Sequence, residues 1–117
     1  MDRVHHRPLP NYSILLSGHT PPDAVGFTSE RLQIWYNHTT TGWTDPQPHA
    51  HEESDEIFVV LRGRLIVEVE GERLTVGPRA FCCFPRGVFH AIVAVEPPIE
   101  SLMIRAPSVA DKVYRDG

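Results

Sequence analysis

Residues 49 to 63 read HAHEESDEIFVVLRG, two histidines one residue apart, then a run of acids, then an abrupt apolar segment. In an extended chain alternate side chains share a face, so His49 and His51 present two imidazoles together. Glu56 opens the apolar run, and alternation sets it with Phe58 and Val60 on one face while Ile57, Val59 and Leu61 take the other. If Phe58 faces an interior, Glu56 faces it too, and a buried carboxylate needs a partner to offset its desolvation. Two imidazoles sharing a divalent cation supply one. Two histidines and a carboxylate are the ligand set of many mononuclear metal sites that keep positions open for substrate or oxygen. Asp55 is the alternative carboxylate; Glu56 is favoured because it shares its face with Phe58. A further histidine, His90, opens the run HAIVAV after a turn built on Pro85 and Gly87.

These residues have to be positioned by strands. Helical periodicity is hard to find, whereas short runs rich in Val, Ile, Phe, Tyr and Trp recur between Gly and Pro punctuation, the pattern of an all-β sandwich or barrel. RLQIWYNH at 31 to 38 reads as a strand, and 56 to 76 as three strands with turns near Arg62-Gly63 and Glu70-Gly71. AFCCF, HAIVAV and SLMIRA read as three more, and SVADKVYRDG after Pro107 has room for one weak helical turn. The first twelve residues, with the Pro21-Pro22 pair nearby, read as an extended arm. The expected organisation is an arm and first strand region over 1–26, a barrel over 27–108 and a C-terminal tail over 109–117.

Composition removes several classes of function. A chain of 117 residues is expected to form one domain with a real core. No segment approaches the run of about 20 apolar residues that a membrane helix needs, so a soluble chain without a membrane partner is expected. The start, MDRVHHRPLP, lacks the apolar stretch and cleavage site of a secretory leader, which makes the cytoplasm the expected compartment. Cys82 and Cys83 are adjacent, a spacing that disfavours a structural disulfide. The formal net charge is −4 and the basic residues are scattered, which argues against nucleic acid as a partner.

Together the two histidine-bearing stretches resemble the paired motifs of the cupin superfamily. In the first, His49-x-His51 is followed after four residues by Glu56 and after six more by Gly63. In the second, Gly77 precedes Pro85-x-Gly87-x-x-His90. Two departures stand out: seven residues separate Gly77 from Pro85 where five are commonest, and Ala94 occupies a position often held by asparagine. Neither removes a ligand. The resemblance implies a small single-domain cupin, a double-stranded β-helix or jelly-roll barrel of two antiparallel sheets. It also implies one divalent transition metal (Fe, Mn, Ni or Zn) held by His49, His51, Glu56 and His90. Three neutral imidazoles and one carboxylate leave a net charge near +1 on such an ion, which favours an anionic oxygen donor as substrate. His5, His6, His19 and His38 have no partners at ligand spacing and are expected in surface or loop roles.

Around the ligands the strand pattern leaves choices open. Either Gln33, Trp35 and Asn37 face inward or Leu32, Ile34 and Tyr36 do, and both Gln33 and Tyr36 are candidate donors to a substrate. On the last long strand Met103 and Arg105 share a face; turned inward, Arg105 would pair a substrate carboxylate bidentately. Tyr36 and Arg105 are therefore the candidate catalytic residues beside the metal ligands. One of Cys82 and Cys83 is expected to line the interior as a small hydrophobe. Three classes of function follow: an oxygen-using iron(II) enzyme such as a dioxygenase, and a non-redox Lewis-acid enzyme (isomerase, decarboxylase, cyclase or lyase). The third is a barrel that binds a small ligand without turnover. The expected partners are a small-molecule substrate and, through sheet edges and the arm, a second copy in a homodimer.

Overall fold

A computed structural model describes residues 4–20 and 26–115. Pro21, Pro22 and the extreme ends of the expected arm and tail lie outside the described residues. The described elements are all strands: β1 (Ile14–Gly18), β2 (Phe27–Thr28), β3 (Gln33–Thr39), β4 (Asp45–His51), β5 (Asp55–Val69), β6 (Glu72–Val76), β7 (Phe81–Phe84), β8 (His90–Ala106) and β9 (Lys112–Tyr114). All pair antiparallel except β1 with β2.

Two long strands, β5 and β8, organise the barrel by belonging to both of its layers. In one layer the first half of β5 pairs with β7 and with the second half of β8, which pairs on to β3 and then β1. In the other, the second half of β5 pairs with β6 and with the first half of β8, which pairs on to β4 and then β9. The hydrogen-bonded network is thus continuous, nine strands folded over on themselves. The crossing point explains two departures from the expected elements. At Arg62-Gly63 the sequence pattern predicts a turn, but the strand runs through with shifts of register against β8. Gly63 has φ +81°, and a Cβ there would lie 2.5 Å from the Pro98 carbonyl oxygen and 2.6 Å from that of Glu96, so only glycine lets the two strands approach at this corner. HAIVAV and SLMIRA, expected as separate strands, are the two halves of β8 on either side of the same corner. The Glu70-Gly71 turn does form: both residues have positive φ, 51° and 82°, the two-residue hairpin that matches strand twist.

Phe58, Val60, Leu65, Val67, Val76, Phe84, Ile92 and Ile99 form the apolar core of the barrel. The C-terminal region also differs from expectation. Instead of a free tail or helical turn, Lys112–Tyr114 forms β9 and pairs with β4 across His49, Ala50 and His51. Extended backbone at this edge satisfies β4's outer hydrogen-bonding groups, which a helical turn would leave open.

Candidate metal centre

His49 and His51 alternate on β4 and project to the same interior face, with Ala50 buried between them on the other. His90, the first residue of β8, lies directly across the ladder from His49, and the two ring centroids are 4.5 Å apart. Glu56, the second residue of β5, completes the group. One ligand atom from each of the four lies within 4.8 Å of all the others, and all four residues are buried. Phe84 stacks flat on His90 at 3.9 Å and closes the apolar side.

The outer nitrogens of the imidazoles show which way the rings are set. His49 Nδ1 lies 3.0 Å from the Gln47 carbonyl oxygen and His90 Nδ1 3.0 Å from that of Val88. His51 Nδ1 lies 3.0 Å from Asp111 Oδ1. Carbonyl and carboxylate oxygens only accept, so each Nδ1 carries the proton and each Nε2 is left as the inward-facing lone pair. Two of these Nε2 atoms meet the carboxylate of Glu56, His90 at 2.8 Å from Oε1 and His51 at 3.3 Å from Oε2. Lone pairs cannot face one another at such distances without a proton or a cation between them. A divalent transition ion satisfies all four groups at once, so the residues present fit the metal that the motif spacing implies.

In the metal-free protein a proton can take the cation's place between ring and carboxylate: burial works to raise the Glu56 carboxyl, but hydrogen bonds and charge from His51 and His90 outweigh it and hold the group at about 2. Burial lowers His49 and so favours its neutral, ligating form. Asp111 is also held below its ordinary value: burial would raise it, but Ser54, the Glu53 amide and His51 all donate to it.

The cluster lines a cavity of about 410 Å³. Its walls settle the choices that alternation left open. Gln33, Trp35 and Asn37 line it from β3, and Met103 and Arg105 from β8. Arg105 lies between Glu56 and Gln33 in the ladder. Its Nη2 donates to Gln33 Oε1 at 3.0 Å, and its Nη1 sits against the His51 ring, 3.3 and 3.4 Å from the two nitrogens. Tyr36 does not reach the cavity. It is fully buried on the opposite face of β3, where its hydroxyl donates to Glu100, and burial followed by that carboxylate pushes the phenol up to about 12. Because neighbours on a strand point to opposite faces, turning Trp35 and Asn37 inward turns Tyr36 away.

Asp55 is exposed and accepts from the Arg86 amide at 3.0 Å, outside the cluster. Cys82 packs against the apolar core, and burial pushes its thiol up to about 11, while Cys83 is exposed. His5, His6, His19 and His38 are not part of the cluster.

Sequence reasoning missed three residues here: Asp45 and Lys112 in the cavity wall, paired at 3.2 Å, and Asp111 behind His51. Asp45 stands four positions before His49, a spacing that alternation places on the same face, so that signal was available. Nothing in the local sequence marks Asp111 or Lys112.

Comparison with known proteins agrees with this fold. The family model described as the cupin domain matches residues 38–104. No curated protein is similar enough in sequence to match. Among solved structures, the nucleoside dehydratase Pac13 of Streptomyces superposes with a TM-score of 0.63 at 14% identity over 78% of this chain and 73% of that one. The DMSP lyase DddQ of Ruegeria pomeroyi gives 0.65 at 23% identity over 86% of this chain, which spans 49% of the lyase. KdgF from a Halomonas species gives 0.59 at 29% identity, with 68% of this chain and 72% of that one covered.

Proposed function

The chain belongs to the cupin family, and from the site it carries we propose that it is a metal-dependent enzyme that eliminates from, or isomerises, a small carboxylate-bearing molecule. The observation that carries this reading is one cavity lined by the His49, His51, Glu56 and His90 donor set, by the Arg105 guanidinium and by the Asp45–Lys112 pair. A divalent cation held by the four donors would supply Lewis-acid polarisation of a carbonyl or of a leaving oxygen.

The chain's own residues supply the rest. Arg105 is held by Gln33 before any substrate arrives, so its planar fork meets a carboxylate already oriented. Asp45 Oδ2 lies 3.7 Å from His49 Nε2 and 3.2 Å from Lys112 Nζ, a place from which a proton can be taken from bound substrate and returned. Phe58, Ile92 and Met103 supply apolar wall that displaces water from the reacting carbon. This set of groups suits proton transfer, and that is why we favour elimination or isomerisation over oxygen chemistry. Two of the structural neighbours are named for such reactions, a dehydratase and a lyase. At their identities they share the fold, and the cavity itself carries the argument.

The test offers protein reconstituted with zinc, manganese, nickel or iron(II) a panel of 3-hydroxy and 2-oxo acids. The reading predicts either an enoate product or exchange of the α-proton in deuterated water, lost in Arg105→Met while metal content stays. Oxygen uptake with iron(II) alone would move the assignment to a dioxygenase. Ligand-raised melting without turnover would leave a binding barrel.

A further inference from the structure

The three imidazoles of the cluster are not oriented by the same kind of group. For His49 and His90 the acceptor at Nδ1 is a backbone carbonyl two residues earlier on the chain. For His51 it is the side chain of Asp111, 60 residues away in sequence and itself buried. Asp111 is tied down on its other oxygen. Oδ2 accepts from the Glu53 amide at 3.0 Å and the Ser54 amide at 2.8 Å, the Ser54 hydroxyl lies 2.7 Å from it and 2.8 Å from the Pro107 carbonyl oxygen, and the Asp111 carbonyl accepts from the Glu52 amide at 3.1 Å. Two amide donors at one oxygen hold Oδ1 toward His51.

We propose that Asp111 is the positioning residue of the metal site: it fixes the proton of His51 on Nδ1 and thereby makes Nε2 available as a ligand. The inference rests on the reading of the cluster as a metal centre. It makes the segment that closes the barrel after Pro107 a determinant of metal loading, although that segment contributes no ligand itself.

The arrangement makes an unusual prediction for a near-isosteric change. In Asp111→Asn the Glu53 and Ser54 amides still require an oxygen, so the amide oxygen stays there and the NH₂ group is turned toward His51. His51 Nδ1 must then accept, which moves its proton to Nε2, into the metal site. The loop keeps its hydrogen bonds, and the ligand is lost.

The experiment uses the full chain and zinc alone as probe. Zinc affinity is measured by competition with a chromophoric chelator, and the imidazole tautomers are read from long-range ¹H–¹⁵N correlations of the wild-type protein. Asp111→Asn is expected to weaken zinc binding about 10- to 100-fold, with melting of the metal-free protein lowered about as much as by Ser54→Ala, so that the loss of affinity is separated from the loss of stability. Ser54→Ala, which removes the hydroxyl beside Asp111 but leaves the carboxylate, is expected to lower the melting temperature and keep zinc affinity close to wild type. In the wild type, His51 is expected to show a slowly exchanging proton on Nδ1. Equal zinc affinity in Asp111→Asn, or a zinc-loaded wild type whose His51 carries no proton on Nδ1, overturns the inference whatever the variants' stability. Failure of the wild type to bind zinc at all overturns the metal reading and the inference with it.

Discussion

Two regions set the rings of the candidate site, and they do it at different ranges. At the starts of the β4 and β8 histidine stretches the support is local: Gln47 and Val88 fix His49 and His90 through backbone carbonyls. In the C-terminal segment the support is remote, and one carboxylate from beyond β8 fixes His51. The local arrangement follows from strand geometry for almost any side chain at 47 or 88. The remote arrangement depends on one side chain and on the docking of β9 along β4. A site built this way keeps two ligands set by short-range backbone and makes the third conditional on the completed fold.

The largest effect is expected where the two regions meet. Glu56 receives both His90 and His51, so Glu56→Ala should abolish tight zinc binding, measured by calorimetric titration; retained binding would show that the imidazoles suffice and that the carboxylate is not shared. Next comes Asp111→Asn, with the tenfold to hundredfold loss already described, because it affects one ligand of four.

A third prediction concerns acidity in the metal-free protein. Glu56 is held at about 2 against an ordinary 4.5, so its contribution to stability is complete above 4.5 and is lost as pH falls through the folded value. Asp111 acts in the same direction. His49, lowered by burial from 6.5, favours folding while neutral, and that contribution fades as pH falls below 6.5. Scanning calorimetry should therefore show melting of the apo protein declining steadily on acidification below 6.5. A flat profile down to 4.5 would contradict the burial assigned to His49.

The smallest effects are expected at the local supports. Gln47→Ala and Val88→Ala keep the carbonyls that accept from His49 and His90, and zinc affinity should stay within about twofold of wild type. A loss as large as that of Asp111→Asn would erase the distinction between the two regions.

How much of this is legible in the sequence follows the same division. Alternation at His49, His51, Glu56 and Phe58, with the Pro85, Gly87 and His90 spacing, is a short-range pattern, and it identified the four residues that the fold brings together. Glu70-Gly71 likewise announced its hairpin, since two left-handed residues in a row are a local requirement. Gly63 reads locally as a turn because a glycine required by the approach of Pro98 and Glu96 from a distant strand has the same local signature as one required by a loop. Tyr36 and Gln33 were indistinguishable as cavity residues because alternation fixes parity but not which face is inside; that depends on pairing with β8. Asp111 was out of reach because the feature that gives it a role, Ser54 and His51 across a gap of nearly half the chain, exists only after β9 has docked.

The central claim is that His49, His51, Glu56 and His90 hold one divalent ion. Its most direct test is elemental analysis of the protein after zinc reconstitution and desalting, beside a His49→Ala, His51→Ala double variant whose folding is checked by circular dichroism. The account predicts about one equivalent of metal in the wild type and none retained by the folded variant. No metal in the wild type, or equal metal in both, would contradict it.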